Sequence, residues 1–385
     1  MATAGFDCVY SVDREFQTGC YRALAWQRHR ALNGSTASLP CPNNMRILMN
    51  NSHASYTLGP VYQRSLKRLG HEVHDYWPAI ERQLLPSRLA ERAMDRVLPN
   101  IKMALVRRDL LAAAEALKPD VVWIMKGADI DPATIEALKS LGPRVVNFNA
   151  DHPFEFYTRG TGNARVAAGV PHYDAYLTYS RRIEAEIRAR HPGLQTGVLP
   201  FGHEVDEAFY AEILRRTQEE CLRVVFAGNP DPQRVAELGF LVAEGFDVDV
   251  YGKPWQSIAG TMPRLNYCGD VTGHETYAVF RRYRVALNFF RPHNIGSHNL
   301  RSFEIPAVGG ILLAPDSEEH REFFTAGKEA FYYTDRDSMV AELRRVLALP
   351  EADARKVREA ARWRSVNAGY HFDDRAREAA QLLLG

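Results

Sequence analysis

The chain has 385 residues, 46% of them hydrophobic and 25% charged, a soluble globular composition with enough apolar residues for two ordinary domains. Lys and Arg number 48 against 47 Asp and Glu, a net charge of +1 that provides no general field for a nucleic-acid backbone or an anionic membrane. The five cysteines (Cys8, Cys20, Cys41, Cys221 and Cys268) form no C-x-x-C pair, so neither a zinc site nor a disulfide framework is indicated.

Residues 1–44 form a segment of their own, ending in the turn-rich "ALNGSTASLPCPNN". It reads either as an extension with little structure or as a small helix, "YRALAWQRHRAL", docked on the first domain. Its start lacks the apolar core of a signal peptide, and an apolar run such as "IPAVGGILLAP" falls well short of the roughly 20 residues of a membrane helix. The expected location is cytoplasmic, or at most peripheral to a membrane.

From Met45 onward, short apolar runs alternate with helical patterns. "RILMNN", "EVHDYW", "DVVWIM", "RVVNFNAD", "AYLTYS" and "TGVLPFG" have strand lengths and are separated by stretches such as "PATIEALKSLG" and "RRIEAEIRARH". This order predicts a parallel sheet covered by helices on both faces. A second series, "LRVVFAG", "DVDVYG", "LNYCGD", "VALNFF", "ILLAP" and "AFYYT", predicts another. The fold expected is α/β, two Rossmann-like doubly wound domains facing across a cleft, the first over 45–205 and the second over 206–385 with closing C-terminal helices. Ligands of such folds bind outside the carboxyl ends of the strands.

One stretch at such a strand end concentrates polar groups: "RPHNIGSHNLRSFEIPAVGGILLAPD", residues 291–316. The amides at a helix N-terminus attract anions. Gly296 allows close approach, and Ser297, His298, Asn299 and Arg301 supply donors, so a nucleoside diphosphate is the guest that fits. Glu304 would repel phosphate and is suited instead to the hydroxyls of a ribose. "FAGNPDPQR" adds Gly228 and Asn229 at the cleft and Arg234 toward a phosphate, with Lys253 a further basic candidate. Each has a plainer alternative as a turn glycine or solvated loop residue, and it is their concentration ahead of Glu304 that favours a site.

The first domain would bind the acceptor. Asn51, Ser52 and His53 follow the first strand, in a segment that lacks G-x-G-x-x-G. "FNADHPFEF" places Asp151 and His152 together, where either could take a proton from an acceptor hydroxyl; the alternative is an X-Pro turn before Pro153. Three D-x-D pairs occur, at 129–131, 247–249 and 335–337. The first reads as the N-cap of a helix with Pro132 at its first position, the second lies in a strand and the third in a loop before a helix, so no metal is expected.

"FEIPAVGGILLA" resembles the nucleotide-binding segment of GT-B glycosyltransferases, whose pattern is E-x7-E followed by small residues and an apolar strand. With "YCGDV", "VALNFF", "NLRSFEIPAVGG" and "GYHFDDRAREAAQLLL", the frame over 45–385 is most similar to the CgeB-type (spore maturation protein) glycosyltransferases. That resemblance implies transfer of a sugar from a nucleoside diphosphate sugar, a UDP-sugar being favoured, with no cofactor. It makes Glu304 the second glutamate of the pattern, the one that holds the ribose, and puts the nucleotide base at Gly269, Asp270 and Val271. The first glutamate would fall at Gly296 and is absent, which leaves the transferred sugar and the stereochemical outcome open. The acceptor is left open among glycan, protein and small molecule; nucleic acid is disfavoured by the charge balance. Two other readings stand beside this one: a degenerate GT-B module that binds a nucleotide or partner without turnover, and a sugar-nucleotide epimerase, for which no pair of acids is evident.

Overall fold

The structure is a computed structural model, and it describes residues 44–50, 57–76, 87, 99–156, 162–217 and 219–385. The expectations for residues 1–43 and for Asn51, Ser52 and His53 lie outside the described residues.

All twelve apolar runs are strands. β1 (Arg46–Asn50), β2 (Glu72–Tyr76), β3 (Val121–Met125), β4 (Arg144–Asn149), β5 (Ala175–Thr178) and β6 (Gln195–Val198) form one sheet in the order β2-β1-β3-β4-β5-β6. β7 (Cys221–Ala227), β8 (Val248–Tyr251), β9 (Leu265–Tyr267), β10 (Tyr283–Leu287), β11 (Leu312–Pro315) and β12 (Phe331–Tyr333) form the other, in the order β12-β11-β10-β7-β8-β9. Every pairing between them is parallel.

Parallel strands need crossovers, and the helices that make them cover both faces, which is why β3 reads as an unbroken apolar run and β10 is buried along its whole length. The period of two is visible in β7. Val225 and Ala227 pack with the core that includes the first sheet, whereas Val224 and Phe226 pack with a second core on the opposite face.

Strand order reverses between β1 and β3 in the first sheet and between β7 and β10 in the second. Chain segments leaving adjacent strands at such a point diverge to opposite faces and leave a crevice at the carboxyl ends. The helix Pro132–Ser140 starts as its sequence predicts: Asp131 caps it, accepting the Thr134 amide at 2.7 Å, with Pro132 at the first position. The last helix, Phe372–Leu384, packs on the helix Leu58–Arg68 and against β3 and β4 of the first sheet. Arg68 pairs there with Asp373, and the rings of Tyr62 and Phe372 meet edge to face at 5.3 Å.

Candidate functional site

A cleft of about 420 Å³ opens at the carboxyl ends of the strands, on the second sheet at its switch point. One wall, from the first sheet, is Leu58, Ala150, Asp151 and Phe201; the other is built by segments that leave β7 and β10. Gly228 ends β7 with its amide on Tyr251 O (3.0 Å) and its carbonyl accepting from Trp255 Nε1 (2.7 Å). A Cβ there would meet the Phe226 ring at 3.2 Å and stand in front of the Arg234 guanidinium, so glycine keeps the approach open.

Three guanidiniums reach this cleft, those of Arg234, Arg291 and Arg301. Arg234 sits in the first turn of the helix Pro232–Ala243, capped by Asp231. Its Nη1 donates to Asn229 O (2.9 Å), and its Nε lies 3.3 Å from Asp231 Oδ2. Burial pushes its pKa down to about 10, and the charges of Arg291 and Arg301 push the same way. It remains a cation at neutral pH, held against two others. Arg291 Nε is 4.0 Å from Asp231 Oδ2, so one carboxylate serves two arginines. Arg301 pairs with Glu304, lies 5.2 Å over the Phe280 ring and donates weakly to Ala227 O (3.4 Å). Among the described residues these three cations face the carboxylates of Asp231 and Glu304, and Asp151 on the opposite wall is offset by Lys126, so positive charge is in excess in a partly buried space, which suits a polyanion.

The other predicted residues divide clearly. Asn299 lines the cleft, locked in a reciprocal amide pair with Asn288 at 2.9 and 3.0 Å. Gly296 does not line it; with φ +80° it makes the exposed turn that closes Ser297 N on Asn294 O. Ser297 and His298, expected as open donors, are fully buried instead. Phe201 N donates to His298 Nε2 (3.3 Å), so Nδ1 carries the proton and donates to Glu319 Oε2 at 2.7 Å. Ser297 Oγ donates to the same carboxylate, which also accepts Arg181 N at 2.9 Å. Burial lowers the His298 pKa, and the ring is wedged among Tyr179, Phe201, Phe303 and Phe323.

The helix expected to present its N-terminus, Arg301–Ala307, has only seven residues, and its Ser302, Phe303 and Glu304 amides are spent on Asn299 O and Leu300 O. Positive charge therefore comes from side chains rather than from a helix end. Glu304 stands behind Arg301, also accepting from Tyr277 Oη at 3.4 Å, and does not itself line the cleft. Gly269 (φ +112°), Asp270 and Val271 form the loop after β9, with Gly269 O accepting Gly252 N (3.0 Å) and Asp270 Oδ1 accepting the amide of exposed Lys253 (3.2 Å). That loop lies outside the lining, and Asn229 is exposed beside it, contributing its carbonyl to Arg234.

On the opposite wall, Asp151 lines the cleft and pairs with Lys126 at 2.6 Å. His152 does not. Its side chain is fully buried, Nδ1 accepts the Phe154 amide (3.2 Å) and Nε2 faces Glu186 (3.2 Å), so its lone pair is occupied and it cannot serve as the cleft base. Burial lowers its pKa, against the pull of Glu155 and Glu186. The aspartates of the D-x-D pairs also have local partners. Asp131 and Asp335 cap helices, and Asp249 binds Arg223 (2.8 Å), Tyr283 Oη (2.8 Å) and Asn266 (3.1 Å). Among the described residues no three acidic, His or Cys side chains gather in a way that could hold a metal, and no helix is long and apolar enough to cross a membrane.

Sequence reasoning missed Arg291, Asn288 and Asn294. The signal was available for Arg291: a basic residue directly after "VALNFF", at the strand beside which the sheet order reverses.

Residues 234–381 match the model of a family described as glycosyl transferase-like. No curated protein matches the chain. Among solved structures it is similar to sucrose-phosphate synthase from Thermosynechococcus elongatus, at 14% identity and a TM-score of 0.62, covering 88% of this chain and 98% of that one. Anabaena Alr3699/HepE in complex with UDP-glucose is similar at 10% identity, TM-score 0.60, with 89% and 100% covered. The UDP-GlcNAc 2-epimerase of Neisseria meningitidis bound to UDP-GlcNAc also aligns, at 12% identity and TM-score 0.53, over 88% and 100%. At such identities the likeness is one of fold. The chain has the GT-B architecture, two parallel six-stranded α/β units, and the stretch that matches the glycosyl transferase-like model lies in the second of them.

Proposed function

We propose that the protein transfers a sugar from a nucleoside diphosphate sugar, in the first instance a UDP-sugar, to an acceptor hydroxyl, without a metal. The observation that carries this reading is the convergence of Arg234, Arg291 and Arg301 on one cleft at the carboxyl ends of the strands. The departing diphosphate gains charge as its bond to the sugar breaks, and fixed guanidiniums at that place favour the transition state over the ground state. The UDP-glucose held by Alr3699/HepE is consistent with the donor class. Glu304 would take the ribose by exchanging its bond to Arg301, and the 269–271 loop would flank the base. The second unit, 206–385, is thus the donor side and the first, 45–205, the acceptor side. "NLRSFEIPAVGG" supports a CgeB-like branch.

Asp151 is the acidic side chain among the described residues that line the cleft. An epimerase that removes and returns a proton or a leaving nucleotide on the sugar would want paired acids, so this single carboxylate favours transfer. In an inverting reaction Asp151 is the base; in a retaining one a phosphate oxygen can take the proton. The acceptor would be a glycan, protein or small molecule, met in the cytoplasm or at a membrane surface.

Thermal shift against UDP, GDP, dTDP, CDP, ADP and NAD, with and without magnesium, tests the reading. A ligand at about 100 times its Kd adds roughly 2.7 kcal/mol. Stabilisation by one nucleoside diphosphate without metal, followed by release of labelled sugar from its donor, is the expected result. No response to any diphosphate, or a response to NAD alone, refutes it; binding without sugar release points to the non-catalytic module.

A further inference from the structure

The backbone beneath Asp151 is strained at one non-glycine residue. Lys126 follows β3 with φ +64°, and the Gly127 amide closes on Met125 O at 2.8 Å, so Lys126 is the centre of a γ-turn of positive φ. That turn is rare and costly for a residue with a side chain. Lys118 and Arg264 also have positive φ, but Lys118 ends the helix Pro99–Leu117 and Arg264 turns the chain into β9, common places for that conformation. Lys126 has no such local cause.

Neighbouring strands hold the turn in place. Lys126 N donates to Phe148 O (2.8 Å), and its carbonyl accepts Asn147 Nδ2 (3.2 Å). Asn50, at the end of β1, binds both the amide and the carbonyl of Met125. Gly127, at φ +80°, could not carry a Cβ, which would lie 2.6 Å from Tyr173 Oη. The result is a half-buried ammonium 2.6 Å from Asp151 Oδ2, while Asn149 Oδ1 accepts the Asp151 amide at 2.9 Å. Strain retained at a strand end beside a cleft is a mark of function rather than of stability.

We propose that Lys126 is a positioning residue for the acceptor reaction: its γ-turn places an ammonium that fixes the Asp151 carboxylate against the cleft, where Asp151 receives the acceptor's proton. This rests on the transferase reading above. In the step, the acceptor oxygen bonds to the anomeric carbon and its proton passes to Asp151. The bond from that carbon to the diphosphate breaks, and its electron pair leaves on the diphosphate held by the arginines. Lys126 remains protonated throughout and touches neither sugar nor phosphate.

Lys126→Gly separates this role from a structural one, since glycine adopts φ +64° without strain. In the full chain the variant is expected to melt at or above the wild-type Tm and to keep the wild-type thermal shift with UDP. Its kcat for UDP release from a UDP-sugar, UDP-glucose first, should fall at least tenfold with donor KM unchanged, and Lys126→Arg should restore most of it. Wild-type kcat in Lys126→Gly overturns the proposal, as does a parallel loss of Tm and kcat that Lys126→Arg fails to restore. Wild-type protein with no response to UDP or any other nucleoside diphosphate removes the transferase reading and this inference with it. Wild-type protein stabilised by UDP that releases none from any UDP-sugar is the non-catalytic module, and removes both as well; only wild-type kcat in Lys126→Gly, or the unrestored parallel loss, overturns the inference while leaving the transferase reading in place.

Discussion

Arg291→Gln should weaken diphosphate binding without weakening the protein. Arg291 shares Asp231 with Arg234, and its charge is one of those that push the buried Arg234 guanidinium down to about 10, after burial itself. In the empty protein its removal relieves repulsion, so Tm should hold or rise slightly. With a diphosphate bound the same change removes a charged hydrogen-bond donor, a loss of about 1.5–3 kcal/mol. Taking about 2 kcal/mol, Kd rises roughly 30-fold. UDP at about 100 times the wild-type Kd then stabilises the variant by only about 0.9 kcal/mol, against about 2.7 for wild type. Calorimetry supplies the two Kd values and a melting series the two stabilities. A Kd within two- to threefold of wild type would show that Arg291 faces solvent rather than phosphate, and the three-cation argument would fail with it.

Glu304→Ala should separate ribose from phosphate: UDP binding weakens about tenfold, as loss of hydrogen bonds worth about 1.4 kcal/mol implies, while inorganic pyrophosphate binds as well or better because Arg301 loses its partner. Equal weakening of both ligands, measured by calorimetry, would place Glu304 outside the ribose site. Stability should fall with acid below pH 6.5. His203 and His320 are buried with both ring nitrogens engaged, and burial lowers their pKa to about 3 and about 4. The unfolded chain takes up protons at 6.5 that the folded chain refuses, so stability is complete above that value and declines toward pH 4. Each histidine contributes a slope of about 1.4 kcal/mol per pH unit. Urea unfolding at pH 7, 6 and 5 checks this, and a flat profile would mean that both rings take up their protons in the folded state.

What was legible in the sequence follows from what burial does to residue choice. A parallel strand covered on both faces must be apolar throughout and must end where its chain turns, so "VALNFF" and "LRVVFAG" announce themselves, and Gly228 and Asn299 follow at the cleft. Asp151 lies just past the end of β4 and reaches the cleft by the same rule, whereas Arg301 lies well beyond β10, at the start of the helix Arg301–Ala307. His298 and Ser297 were misread because a buried polar side chain looks like an exposed one until its partners are known. Those partners are Glu319, about twenty residues later, and Phe201, nearly a hundred earlier, a pairing that no local pattern encodes. His152 failed for the same reason, with Glu186 as its distant partner. Lys126 gave no signal at all, since positive φ at a lysine contradicts local preference and is set by Asn50 and Asn147 on adjacent strands.

The misread residues nonetheless explain how the cleft keeps its shape. The segment that carries Arg291, Asn294 and Asn299 to the cleft is tied by Asn294 Nδ2 to Tyr179 Oη (2.7 Å), at the end of the first sheet, and by Ser317 Oγ to Ser297 O (2.6 Å). Glu319 gathers His298, Ser297 and the Arg181 amide around one carboxylate. Removing one member of such a network strands the others in a buried space, which costs more than the lost bond itself. A flexible loop could offer the same arginine to solvent, but fixed donors need no reorganisation when charge develops on the leaving group. The polar residues of this loop therefore divide: Ser297 and His298 hold the backbone, and Arg291 and Arg301 line the cleft where the proposed diphosphate would sit.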